Sequence, residues 1–161
     1  MKNSELDAFL AQGMKKYKKA SEVMVSFYEN MKTRMQQILI SRENWGIFDR
    51  GEVKNVKSTK FWDQYPFVNA QISGKIEGKP ATIKIGINWY ASDSGYPFYG
   101  IWFYDIAKDG YKEKLGSFQN HGNIVLNKTR DGLNLNPNPD DFNLERDFTL
   151  LLDAFIELIS K

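Results

Sequence analysis

The sequence predicts an α+β fold: a mainly antiparallel β-meander sheet of four to six strands, with a long N-terminal helix and a C-terminal helix packed on one face. Three observations predict it. The first 41 residues hold no Pro and carry apolar side chains at alternating spacings of four and three. The middle of the chain alternates apolar and polar residues with period two, between short Gly-containing links. The last twenty residues return to helical spacing. Strands grouped between helices, not alternating with them, belong to α+β architectures.

The N-terminal helix is expected from Ser4, a capping residue, to about Ser41, with Glu5 and Asp7 in the first turn. Leu10, Met14, Tyr17, Met24, Tyr28, Met31, Met35 and Ile38 form its seam, interrupted by Ser21. Val23, Phe27 and Leu39 widen that seam into a stripe suited to a globular core, and its Met residues suit irregular packing. A straight helix over this range spans about 57 Å. A compact domain of this length is roughly 40 Å across, from a radius of gyration of about 15 Å. The helix must therefore bend, break or protrude, and a break near Gly13 is expected. Pairing of two chains through this helix is the lesser expectation, so a monomer or weak homodimer is predicted.

Asn44-Trp45-Gly46 ends the helix, and Asp49-Arg50-Gly51 reads as a turn. Glu52 to Lys60, with Lys54, Lys57 and Lys60, reads as an edge strand. Val68, Ala70, Ile72 and Ile76 then alternate with Asn69, Gln71, Ser73 and Lys75. After Glu77-Gly78-Lys79-Pro80, residues Ile83, Ile85, Ile87 and Trp89 alternate with Lys84, Gly86, Asn88 and Tyr90, giving an antiparallel hairpin. Ser92-Asp93-Ser94-Gly95 turns the chain into a third strand, Phe98 to about Ile106. Five of the seven residues from Phe98 to Tyr104 are aromatic, which suits an inner strand apolar on both faces. Lys112–Phe118 and Asn123–Lys128 are expected to add one or two strands. Asp131-Gly132 and residues 136–139 read as loop. The final helix begins at Asp141 or Asn143 and buries Leu144, Phe148, Leu151, Leu152, Phe155, Ile156 and Ile159.

Length and composition bound the function. A chain of 161 residues is expected to form a single domain, 1–161, able to fold without a metal or disulfide. It holds no Cys and one His, which leaves no thiolate chemistry and makes a transition-metal site unexpected. No apolar run follows Met1-Lys2-Asn3-Ser4-Glu5 and none is long enough to span a bilayer, so a soluble, cytoplasmic protein away from membranes is expected. Net charge is +2, but residues 1–60 hold 12 Lys/Arg against 7 Asp/Glu and residues 61–161 hold 10 against 13. A basic N-terminal part lying against an acidic remainder explains that split, and the run Lys15, Lys16, Lys18, Lys19 reads as a solvated helix face. A nucleic-acid partner is not expected, because neither exposed aromatics nor Arg forks accompany the lysines.

Motifs for catalysis are weak. His121 sits in the turn-like Asn120-His121-Gly122-Asn123, and no serine elbow, phosphate loop or dinucleotide fingerprint occurs. Asp63 with Glu77-Gly78-Lys79 has the spacing of the Asp…Glu-x-Lys core of PD-(D/E)XK nucleases, in which two carboxylates hold a divalent ion. Here the Glu-x-Lys pair falls in a hairpin loop rather than on a strand, so no catalytic residue, metal or cofactor is assigned.

The candidate binding residues come from strand parity. With the helices on the Ile83/Ile85/Ile87 side, the opposite face carries Asn69, Gln71, Lys84, Asn88 and Tyr90. Asp105 should avoid the core, which would put Tyr99, Ile101, Phe103 and Asp105 on that second face and Phe98, Trp102, Tyr104 and Ile106 against the helices. An aromatic centre rimmed by amides, Lys84 and Asp105 has the composition of a recognition patch. The expected function is a non-enzymatic protein-binding module, such as a small regulator, immunity-like or accessory protein. The alternatives are the metal-dependent nuclease or nucleic-acid binder, and a small-molecule-binding domain with its pocket in Met-rich packing.

Overall fold

The computed structural model describes residues 2–58, 67–88, 97–104 and 107–161. Helix α1 (Asn3–Ser41) is followed by strands β1 (Phe48–Ser58), β2 (Phe67–Ile76), β3 (Lys79–Asn88) and β4 (Phe98–Phe103). Then come helix α2 (Ala107–Gly116), strands β5 (Ile124–Leu126) and β6 (Gly132–Leu135), a 3-10 turn at Pro139–Asp141, and helix α3 (Leu144–Ser160). The six strands make one open sheet in the order β1-β2-β3-β4-β6-β5, and every neighbouring pair is antiparallel. This is the α+β layout the sequence predicts, a meander whose last two strands exchange places.

Among the described elements the helices share one face of the sheet. The C-terminal half of α1 packs on β1 and β2, α3 packs on β4 and β6, and α2 packs on α3 and β3. Between them lies one core: Met31, Met35 and Leu39 from α1, the isoleucines of β2 and β3, and the predicted stripe of α3. Asn143 caps α3, its Oδ1 accepting from Arg146 N at 2.9 Å. Gly46 closes the link from α1 to β1 at φ +58°, where a side chain would also meet Ser160 Oγ at 2.5 Å. Trp45 beside it is buried and donates Nε1–H to Arg42 O at 2.9 Å.

Four expectations are corrected. Helix α1 runs unbroken through Gly13, because one Gly costs a helix only about 1 kcal/mol. The length is accommodated by protrusion: no described side chain before Tyr28 is fully buried. Asp49-Arg50-Gly51 is not a turn but an irregularity inside β1, where the register with β2 slips between Arg50 and Val53. Lys112 to Phe118, expected as strand, belongs mostly to α2. Tyr111 and Leu115 lie four apart, with Leu115 buried and Tyr111 stacked on Phe103 at 5.1 Å. Finally, β6 begins at Gly132, expected as loop, and continues through 133–135, where no strand was expected. A network stabilises the β5–β6 turn, in which Asp131 Oδ1 accepts from Asn127 Nδ2 at 2.7 Å and Asn127 Oδ1 accepts from Asp131 N at 3.0 Å. That turn delivers Leu133 and Leu135 to the core.

Candidate functional site

Cross-strand register fixes which side chains share a face, since directly paired residues project the same way. Ile83 pairs with Phe103, Ile85 with Ile101 and Ile87 with Tyr99. All six are at most 1 % exposed, so Tyr99, Ile101 and Phe103 face the helices. Phe103 packs on Phe155 at 5.3 Å, and Tyr99 meets Phe148 edge-on at 6.4 Å. The expected assignment of β4 is therefore reversed. It rested on Asp105, which follows the last residue of β4 and lies outside the described residues. The chemistry of the strand itself supports the observed choice. The Tyr99/Ile101/Phe103 face is apolar at every position, whereas the opposite face spends a position on Gly100, so burying the former removes more apolar area from water.

Three rows of paired residues define the outer face. Phe67, Asn88 and Phe98 form one, Asn69, Gly86, Gly100 and Asn134 the next, and Gln71, Lys84, Trp102 and Gly132 the third. Beyond them Tyr104 N donates to Thr82 O at 2.8 Å, and the Tyr104 ring is 55 % exposed. Lys84 Nζ stands 3.4 Å from the centre of that ring, a close cation–π contact. In the middle row two buried glycines lie side by side between the half-buried Asn69 and Asn134. Asn134 Oδ1, Trp102 Cζ3 and Asn88 Nδ2 converge over Gly100, at 3.2, 3.2 and 3.5 Å from where its Cβ would be.

Of the expected binding residues, Asn69, Gln71, Lys84 and Asn88 come together on this face. Tyr99 and Phe103 are core residues. Tyr90 and Asp105 lie outside the described residues. Phe98, Trp102, Tyr104 and Asn134 belong to this face and were missed, the first three through the reversed parity and Asn134 because no strand was expected at 133–135. Asn88 is 2 % exposed and its Oδ1 has no hydrogen-bond partner among the protein groups. The face offers amide donors and acceptors, aromatic area and the ammonium groups of Lys84 and of Lys54, which pairs with Gln71. Lys75 and its cross-strand partner Asp49 lie on the same side further along β2.

Among the described residues, clefts also lie elsewhere. One, of about 430 Å³, opens between the β5–β6 edge and the start of α3, against His121, Asn138, Asp141, Arg146 and Asp147. Arg146 is committed within it, donating Nε–H to Asp147 Oδ1 and Nη1–H to Asp141 Oδ2, both at 2.7 Å. Asp147 is 4 % exposed and its Oδ2 has no partner. Burial first, and then the Asp147 charge, push the neighbouring Tyr99 hydroxyl above its usual pKa. The other cleft, of about 540 Å³, joins Arg42, Arg50 and Trp45 to Glu43 and Asp49. There Arg42 is already paired with Asp153 at 2.7 Å.

The nuclease-like residues are not assembled into a site. Glu77 and Gly78 are the two exposed turn residues of the β2–β3 hairpin, both with positive φ, and Asp63 lies outside the described residues. Among the described residues no three His, Asp or Glu side chains stand where they could share a metal ion. Among the described residues no helix is long and apolar enough to cross a membrane. Comparison with protein-family models, with curated proteins and with solved structures returns no match in any of the three.

Proposed function

We propose that this protein is a binding module for another protein, a small regulator, immunity-like or accessory factor, and that it engages its partner through the outer face of the sheet. The observation that carries the reading is the exposed Tyr104 ring with Lys84 set against it, beside the half-buried Trp102 and the amides of Asn69 and Gln71. Protein interfaces join aromatic anchors to hydrogen-bonding groups in this way.

The test compares wild-type protein with a Lys84→Glu, Tyr104→Ser variant and with Trp102→Ala, each immobilised and used to capture proteins from native host extract, read by mass spectrometry. A protein held by the wild type and lost at least tenfold from variants of unchanged urea midpoint supports the reading. Equal capture by all three, or no protein enriched by the wild type, overturns it.

A further inference from the structure

The cleft between the β5–β6 edge and the start of α3 holds a buried carboxylate that the fold uses only in part. Asp147 lines the cleft at 4 % exposure, and its Oδ1 accepts from Arg146 Nε at 2.7 Å. Its place in the first turn of α3 accounts for the negative charge, and Arg146 accounts for one oxygen. Oδ2 is left over. It is buried without a hydrogen-bond partner among the protein groups, and the neighbouring Tyr99 hydroxyl does not bond it. A buried carboxylate oxygen is costly to leave unpaired, so this one marks a place for a donor.

The surroundings select the donor. Of the described side chains that line the cleft, Asp141 and Asp147 are negative and Arg146 is positive, an excess of one negative charge with His121 neutral. Arg146 offers nothing to an anion, because it already donates to Asp147 Oδ1, Asp141 Oδ2 and Asp141 O. A divalent cation takes several oxygen ligands. Among the described residues no three His, Asp or Glu side chains stand where they could share one. A guanidinium group pairs best with both oxygens of a carboxylate, and here Oδ1 is taken. An ammonium group is a point donor and needs only the free Oδ2. Ile124, Pro137 and Leu150 add apolar walls, which suit an alkyl stem.

We propose that this cleft binds a primary alkylammonium group, which donates to Asp147 Oδ2 and lays its carbon chain along Ile124, Pro137 and Leu150. The group is carried by a lysine side chain of another protein or by a free alkylamine. Leu135 and Ile124 continue the helix-facing row of Tyr99. The cleft therefore lies on the opposite side of the sheet from the outer face, and the site is independent of the protein-binding role proposed above.

His121 lines the same cleft and is the one His of the chain, so its ring protons report binding in a nuclear magnetic resonance titration at fixed pH. n-Butylammonium should shift them saturably at roughly millimolar concentration, whereas n-butanol and n-butylguanidinium should need at least tenfold more. Asp147→Asn protein of unchanged urea midpoint should bind n-butylammonium at least tenfold more weakly. The comparison with n-butanol uses the wild type alone, so it decides the matter even where Asp147→Asn does not fold. Nα-Acetyl-lysine N-methylamide binding as tightly as n-butylammonium assigns the site to a lysine of another protein, and its exclusion assigns the site to a free amine. Three outcomes overturn the proposal: no saturable shift with n-butylammonium, equal binding of n-butanol, or undiminished binding by folded Asp147→Asn protein.

Discussion

Arg34 holds Glu145 through two parallel hydrogen bonds, Nε–H to Oε1 at 2.6 Å and Nη2–H to Oε2 at 2.5 Å. Eight residues further along each helix, Arg42 reaches Asp153 at 2.7 Å. Equal steps on both helices mean that the C-terminal part of α1 runs parallel to α3, joined at two points about 12 Å apart. The basic N-terminal and acidic C-terminal parts of the sequence therefore meet within one fold, as the charge split suggests.

The Arg34–Glu145 pair makes a prediction about acid. The hydrogen bond from Arg34 holds the Glu145 carboxyl below its ordinary pKa. A depressed carboxyl adds stability above its unfolded value and loses it as pH falls through the folded value. The side chains remain 33 and 52 % exposed, so solvent screening limits the pair to about 0.5 kcal/mol. Glu145→Gln should lower the urea-unfolding free energy by about that amount at neutral pH and leave it unchanged well below the carboxylate range. A difference that persists in acid would mean that the contact acts through packing and not through charge.

Tyr99 gives a second prediction, opposite in sign to what an exposed binding residue would give. Its side chain is wholly buried and its hydroxyl has no hydrogen-bond partner among the protein groups. Tyr99→Phe should therefore keep the packing against Phe148 and raise stability by up to about 1 kcal/mol. Phe103→Ala should instead cost about 3–5 kcal/mol, as a large core truncation. Urea midpoints of the two variants check both. A destabilised Tyr99→Phe would show that the hydroxyl is held by an ordered group.

The contrast between those residues and the first reading of β4 shows where the sequence was informative. Ile83, Ile85 and Ile87 alternate with polar neighbours, so their inward face followed from the pattern alone. Every position of β4 except Gly100 is apolar, so its parity had to come from pairing, and Asp105 lies beyond the strand. Asn69, Gln71, Lys84 and Asn88 share one face, as expected, because they belong to β2 and β3. Leu133 and Leu135 were hidden for another reason, since two buried leucines among Asp, Asn, Pro and Gly fall below the length at which alternation is visible. Helix α2 was missed because Asp109-Gly110, a pair that favours turns, lies inside the first turns of the helix.

The cap of α3 supplies a third prediction. Asn143 Oδ1 accepts from Arg146 N, satisfying one of the free amides at the start of the helix that carries most of the core stripe. Asn143→Ala should cost about 1 kcal/mol, and Asn143→Ser or Asn143→Asp should restore most of it. Chemical denaturation of the three variants separates loss of the cap from a general effect of substitution, for which all three would be equally unstable.

Gly86 and Gly100 lie side by side on the outer face, yet they should respond differently to a methyl group. A Cβ on Gly86 would stand 2.4 Å from Val68 O and 2.4 Å from Asn69 Cβ, against backbone and the base of a side chain that cannot step aside. Gly86→Ala should therefore force β2 and β3 apart, at a cost of about 1–3 kcal/mol. A Cβ on Gly100 would meet Asn134 Oδ1 and Trp102 Cζ3, both at 3.2 Å, and these are the outer ends of side chains that can shift by a few tenths of an ångström. The chain entropy lost from the unfolded state favours Ala by about 0.4–1 kcal/mol, which offsets that adjustment. Gly100→Ala should keep the wild-type urea midpoint while raising the floor between Asn88, Asn134 and Trp102. Because Gly100 is buried beneath those three side chains, Gly100→Ala should leave capture through Lys84, Trp102 and Tyr104 unchanged. A tenfold loss of capture by the stable Gly100→Ala protein would instead mean that a partner opens this row and reaches its backbone.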